Sequence, residues 1–217
     1  MDWYPLWNSL RIAAISSVIV FFCGIAAAYY VAKLPAVIKG ILDVVFTLPM
    51  VLPPTVCGYF LLILLGPKRP LGILLGKIGL QFAMTWYGGI VAAVVVAFPL
   101  MYRTARGAFE GFDNDLAWAA QTLGLSNTYI FWRIRMPLCR QGILAWVVLS
   151  FARALGEYGA TSMLTGYIPA RTATISTTVY QLWRTNNEQQ AFFWVMINLA
   201  ISTVILLAVN MLERGKR

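Results

Sequence analysis

Residues 12–31 read IAAISSVIVFFCGIAAAYYV, an uncharged run between Arg11 and Lys33. As a helix it would extend about 30 Å, which is the thickness of a bilayer's hydrocarbon core. Four further apolar runs lie at about residues 40–65, 80–101, 142–164 and 191–212. The whole chain of 217 residues is 60% hydrophobic and 12% charged. Soluble domains average about 45–50% and about 25%, so there is too little polar surface here to face water. The fold class expected is an all-α integral membrane protein, a bundle of about five transmembrane helices spanning residues 6–212.

The first run does not read as a cleaved signal. Ala26, Ala27 and Ala28 are small enough for a cleavage site, but Asp2 precedes Arg11, and Trp3, Tyr4 and Trp7 form an interfacial aromatic belt. Five spans put the termini on opposite sides. With the C-terminus inside, Lys33, Lys39, Arg103, Arg106, Arg133, Arg135, Arg140, Arg214, Lys216 and Arg217 face the cytoplasm. Arg11, Lys68, Arg69, Lys77, Arg171 and Arg184 face out, so the bias favours an outside N-terminus and a cytoplasmic C-terminus.

Composition also closes several function classes. The net charge of +9 comes from basic residues flanking apolar runs, which signals topology and lipid headgroups, not nucleic acid. The absence of histidine removes imidazole-activated nucleophiles and imidazole metal sites. Cys23, Cys57 and Cys139 are too scattered for a zinc site or a disulfide framework. The run GILLGK at 72–77 has three residues between its glycines and Ile78 after the lysine, so it is not a phosphate-binding loop.

Three stretches carry candidate chemistry. LPMVLPPTVCGY, residues 48–59, places Pro49, Pro53 and Pro54 inside an apolar run, either as a packing kink or as a broken helix lining a path. SFARALGEYGAT, residues 150–161, places Arg153 and Glu157 four apart on one helical face at membrane depth. They form either a strut between helices or part of an anion path, with Ser150 and Thr161 on the same stretch. Gly156 and Gly159 permit close helix approach. The third stretch is the polar segment 103–140, too long for a plain connection. Asp113, Asn114 or Asp115 could cap a helix there, Gly124 suits a left-handed turn, and Ser126 or Asn127 could start a second short helix closed by Pro137.

That third stretch resembles the coupling loop of type-I ABC importer permeases, in which Glu-Ala-Ala is followed after three residues by Gly and after nine more by Ile-x-Leu-Pro. Ala119, Ala120, Gly124, Ile134 and Pro137 stand at matching positions, with Trp118 in place of the Glu and Met136 in place of the Leu. The runs at 48–59 and 150–161, with AFPLMYRTARGAFEGFD at 97–113, resemble the molybdate permeases of that group. The resemblance implies the type-I transmembrane fold and a homodimer in a bacterial cytoplasmic membrane. It also implies two cytoplasmic ATPase subunits that hold ATP and Mg, an external oxyanion-binding protein, and no cofactor on this chain. Tungstate or sulfate is the alternative substrate. An ATP-independent channel or a membrane-embedded enzyme accounts less well for the long loop and the sparse polar groups.

Overall fold

A computed structural model describes residues 2–214; Lys216 and Arg217, counted above among the cytoplasmic charges, lie outside them. The described residues are helical, with no strand among them. The helices are α1 (Tyr4–Val31), α2 (Ala36–Val51), α3 (Pro54–Leu65), α4 (Pro70–Lys77), α5 (Trp86–Glu110), α6 (Asn114–Thr122), α7 (Asn127–Ile130), α8 (Met136–Leu155), α9 (Gly159–Thr165), α10 (Ile175–Arg184) and α11 (Glu188–Arg214). A π-helical turn, Phe131–Arg135, joins α7 to α8.

Among the described residues, three helices are long and apolar enough to cross a membrane: Tyr4–Val31, Trp86–Glu110 and Glu188–Ala208. The pair α2–α3 makes a fourth span if counted together, bent by 113°. The expected span at 142–164 is not one helix, because α8 ends at Leu155 and α9 begins at Gly159. The run at 80–101 is also displaced. Gly79 and Met84 take positive φ angles of 78° and 59°, which holds the chain out of helix until Trp86. At its far end α5 continues past Arg103 to Glu110, where acidic and basic partners receive its charges.

Close packing centres on α5. It runs parallel to α1, with Gly89 against Ile12 at one end and Gly24 against Met101 further along. A methyl on Gly24 would lie 2.8 Å from Met101 Cγ, so only glycine lets these helices approach. In lipid no hydrophobic effect drives helices together, and such interlocking supplies the contact energy instead. The core continues through Met101, Tyr102, Ala105 and Phe109 to Ala117, Ala120 and Ile130. By contrast, every residue of α2 is exposed or half-buried, and α11 presents Phe192, Leu199 and Val204 outward.

Polar side chains fasten the remote ends of the chain. The Asn8 Nδ2 donates to the carbonyl of Ala173 at 3.0 Å, and Ser9 Oγ accepts from the Ile175 N–H at 2.8 Å. Both α1 residues are buried. The start of α10 is thereby pinned to the start of α1, and a reciprocal cap between Thr174 and Thr177 completes its first turn.

Candidate translocation and coupling sites

The break between α2 and α3 follows from three prolines in different settings. Pro49 sits inside α2, where one missing donor is tolerated. Leu52 and Pro53 each precede a proline, which excludes the helical region, and both are extended, with ψ of 143° and 136°. Residue 53 is a proline without an N–H, so the Pro49 carbonyl has no helical donor four residues on. Cys57 Sγ faces it instead, at 3.8 Å. The run is thus broken, with α2 and α3 bent by 113° at Leu52 and Pro53.

The break between α8 and α9 has a different cause. Glu157, buried at 4% exposure, turns its carboxylate back onto the backbone and accepts from the Ala160 N–H at 2.8 Å. Its other oxygen accepts from the Arg153 guanidinium at 2.7 Å. One carboxylate therefore holds the first turn of α9 and pairs the only basic side chain of that stretch. The Arg153 side chain remains 37% exposed, so its other N–H groups are not shielded.

The two breaks interlock. A methyl on Gly159 would lie 2.8 Å from Pro54 Cβ, and one on Gly58 would lie 2.7 Å from Ala160 Cα. Pro53, Pro54, Arg153 and Glu157 thus belong to one junction beside Ala92 and Val96 of α5. Pro49 lies one turn back on α2. Thr161 is buried on α9, and Thr165 Oγ1 donates to its carbonyl at 2.9 Å. Ser150, one turn before Arg153, is buried with no hydrogen-bond partner for its Oγ among the described residues.

The second site comprises α6, the glycine turn after it and the short helix α7. Asp113 caps α6 by accepting from the Asp115 N–H at 2.9 Å, and Gly124 ends it with φ of 80°. Ser126 then caps α7, accepting from the Tyr129 N–H at 3.3 Å. Ala117 and Ala120 are buried against the chain's own core, while Leu116, Trp118, Ala119 and Leu123 face outward. Ile134 is half-buried in the π turn, and Arg135 there donates to Asn114 Oδ1 at 3.3 Å, tying the turn back to α6. Pro137 does not close the second short helix as expected; it occupies the first turn of α8. The wide π turn spaces the preceding carbonyls away from the proline ring, so the helix runs on.

One cluster was not expected from the sequence. Asp43 on α2 receives the hydroxyl of Tyr102 and the guanidinium of Arg106, both from α5. Glu110 in turn holds Lys39, and Arg106 at 3.0 Å. This network clamps α2 to α5 at the end of the bundle that carries α6. An acid within the otherwise apolar run 40–65 was the available signal, because charges in such runs are seldom without a partner.

Comparison with known proteins adds to this geometry. A family described as "Binding-protein-dependent transport system inner membrane component" matches residues 20–217. The chain is 38% identical over 218 residues to the Molybdenum transport system permease protein ModB of Escherichia coli (strain K12), covering 100% of this chain and 95% of that one. It is 36% identical over 203 residues to the Putative molybdenum transport system permease protein YvgM of Bacillus subtilis, covering 93% and 89%. The Sulfate transport system permease protein CysW of Synechococcus elongatus is 32% identical over 190 residues, covering 88% and 66%. Among solved structures, a bacterial ABC transporter that imports alginate superposes with a TM-score of 0.79 at 19% identity, covering 98% of this chain and 79% of that one.

Proposed function

The chain belongs to the family of binding-protein-dependent transport system inner membrane components, multi-pass proteins of the inner membrane, and on that footing we propose that it carries molybdate inward as the permease subunit of an ATP-driven importer. The observation that carries the substrate is the 38% identity to a molybdenum permease along the whole of this chain. Sulfate is the second reading, favoured by the 32% identity to a sulfate permease over a shorter stretch; tungstate shares the same tetrahedral dianion chemistry.

The permease works as a homodimer on two cytoplasmic ATPase subunits, which hold ATP and Mg, and receives its substrate from an external binding protein. The exposed apolar side chains at α6 support the ATPase contact, because Leu116 and Trp118 on a polar helix, with Leu123 directly after it, mark a surface that a partner covers. The interlocked helix breaks support a path at Pro53, Pro54, Arg153 and Glu157. A dianion must be held there weakly enough to leave. Glu157 neutralises Arg153, so the pair offers guanidinium donors without a net positive trap, and the Ser150 and Thr161 hydroxyls lie on the same stretch.

Uptake of labelled molybdate into vesicles that contain the permease, its ATPase and its binding protein is the direct measurement. Molybdate is expected to enter only with ATP inside the ATPase compartment, and a tenfold excess of unlabelled sulfate is expected to leave the rate nearly unchanged. Uptake of sulfate that molybdate fails to displace would overturn the substrate assignment in favour of the second reading.

The orientation carries its own expectation. In a cysteine-free background, a cysteine at Asn186 is expected to react with an impermeant thiol reagent from outside intact cells. One at Asn114 is expected to react only after the membrane is opened. The opposite pattern would place α6 outside and remove it from any ATPase.

A further inference from the structure

A cavity separate from the helix breaks lies between the second half of α1 and the turn that carries α7. It encloses about 440 Å³, within the range of small-molecule sites. Its lining changes character along α1. Phe21 and Phe22 line one part, Tyr29 and Trp132 the next, and Lys33 and Thr128 the last. That order, from apolar through aromatic to cationic, is the order of acyl chain, ester region and phosphate in a glycerophospholipid.

The cationic part is built for an anion. The Lys33 ammonium sits 3.8 Å from the centroid of the Tyr29 ring, which also lines the cavity. The ion pairs among the described residues engage Lys39, Arg106 and Arg153, and none of them engages Lys33. An exposed ammonium held on an aromatic ring above an apolar groove complements one anionic group with a hydrocarbon tail.

We propose that this groove holds an anionic glycerophospholipid of the cytoplasmic leaflet, with its acyl chain against Phe21 and Phe22 and its phosphate at Lys33. The proposal rests on the membrane orientation proposed for the permease. The groove is walled on one side by α1 and on the other by Asn127, Phe131 and Trp132, so the lipid bridges the first span to the turn that supports α6. Anionic lipid content then acts on the stability of the coupling segment.

The test uses the assembled transporter, with its ATPase, purified in mild detergent and titrated with phosphatidylglycerol or phosphatidylcholine under native mass spectrometry. The parent complex is expected to retain phosphatidylglycerol about fivefold more tightly. Lys33→Gln is expected to lose that preference, and Ala26→Trp, which fills the exposed apolar wall, to retain less of both lipids. Equal retention of the two lipids by the parent, or an unchanged preference in Lys33→Gln, overturns the proposal. So does a photoreactive side chain at position 26 that captures the ATPase or a second copy of the chain in place of lipid. Molybdate uptake by the parent, measured in parallel, separates the failures: normal uptake without lipid preference sinks this site alone, whereas no uptake in any lipid mixture sinks the permease reading itself.

Discussion

Leu123→Asp is expected to leave a chain that inserts and assembles, yet imports molybdate roughly 30- to 100-fold more slowly, the effect of losing one central contact of a protein interface. Leu123, directly after α6, is 79% exposed, so the change touches little packing within the chain. Ala120 is the wrong place for the same test. It is only 5% exposed and packs on the core that includes Phe109 and Ile130, so a bulky residue there would unfold the segment before it disturbed a partner. Gly124→Val acts through the backbone instead, because a β-branched residue resists the φ of 80° at that turn. The measurement is ATP hydrolysis with and without molybdate-loaded binding protein, alongside uptake. Stimulation is expected to vanish in Leu123→Asp. If that variant, stably assembled, hydrolyses and imports as the parent does, α6 does not make the ATPase contact.

Removing Arg153 is expected to damage the fold more than removing its partner. The Glu157 side chain is 2% exposed and that of Arg153 is 37% exposed. Arg153→Met therefore strands a carboxylate out of water with the Ala160 N–H as its remaining donor, at a cost of roughly 3–5 kcal/mol. Glu157→Gln leaves a guanidinium that water still reaches, and glutamine keeps an oxygen to cap α9, so the expected loss is nearer about 1 kcal/mol. The double change is expected to recover most of the stability lost in Arg153→Met. Thermal unfolding of the purified variants ranks them, and the order fails if Arg153→Met and Glu157→Gln unfold together. Transport by the double variant answers a separate question. If it folds and imports nothing, the guanidinium acts on the passing anion and is more than a strut.

Apolar run length was the strongest signal in the sequence, and it located α1 and α11 because neither contains an interruption. It misplaced the ends of α5 and missed the break at 156–158 for a common reason. Hydropathy averages over residues, whereas helix ends are set by single groups: the positive φ at Met84, the Arg106–Glu110 pair, and the Glu157 carboxylate on the Ala160 N–H. Local signals with a stereochemical cause were readable. Asp113 and Ser126 accept backbone hydrogen bonds where such residues cap helices, and Gly124 takes the left-handed conformation it is suited to. The clamp of Asp43 on Tyr102 and Arg106 was not readable, since a partner about 60 residues away leaves no trace in local pattern. Nor could spacing alone tell that Ala120 faces inward. Its side of α6 is chosen by Phe109 and Ile130 on neighbouring elements.

The fastening of α1 to α10 has a consequence for how the protein is made. Asn8 and Ala173 are 165 residues apart, so at a bacterial ribosome's pace about 10–30 seconds separate their synthesis. During that interval the first span lies in the membrane with its amide and the Ser9 hydroxyl lacking their final partners. Early stages of assembly must keep that end of α1 near the water interface, where solvent can stand in for the missing bonds. The place where the chain began therefore closes late, with most of α10 and all of α11 still to be made. A pause or truncation before Ile175 would yield a bundle that lacks α10 and α11 and whose α1 end is still open, the form in which a quality-control protease would meet it.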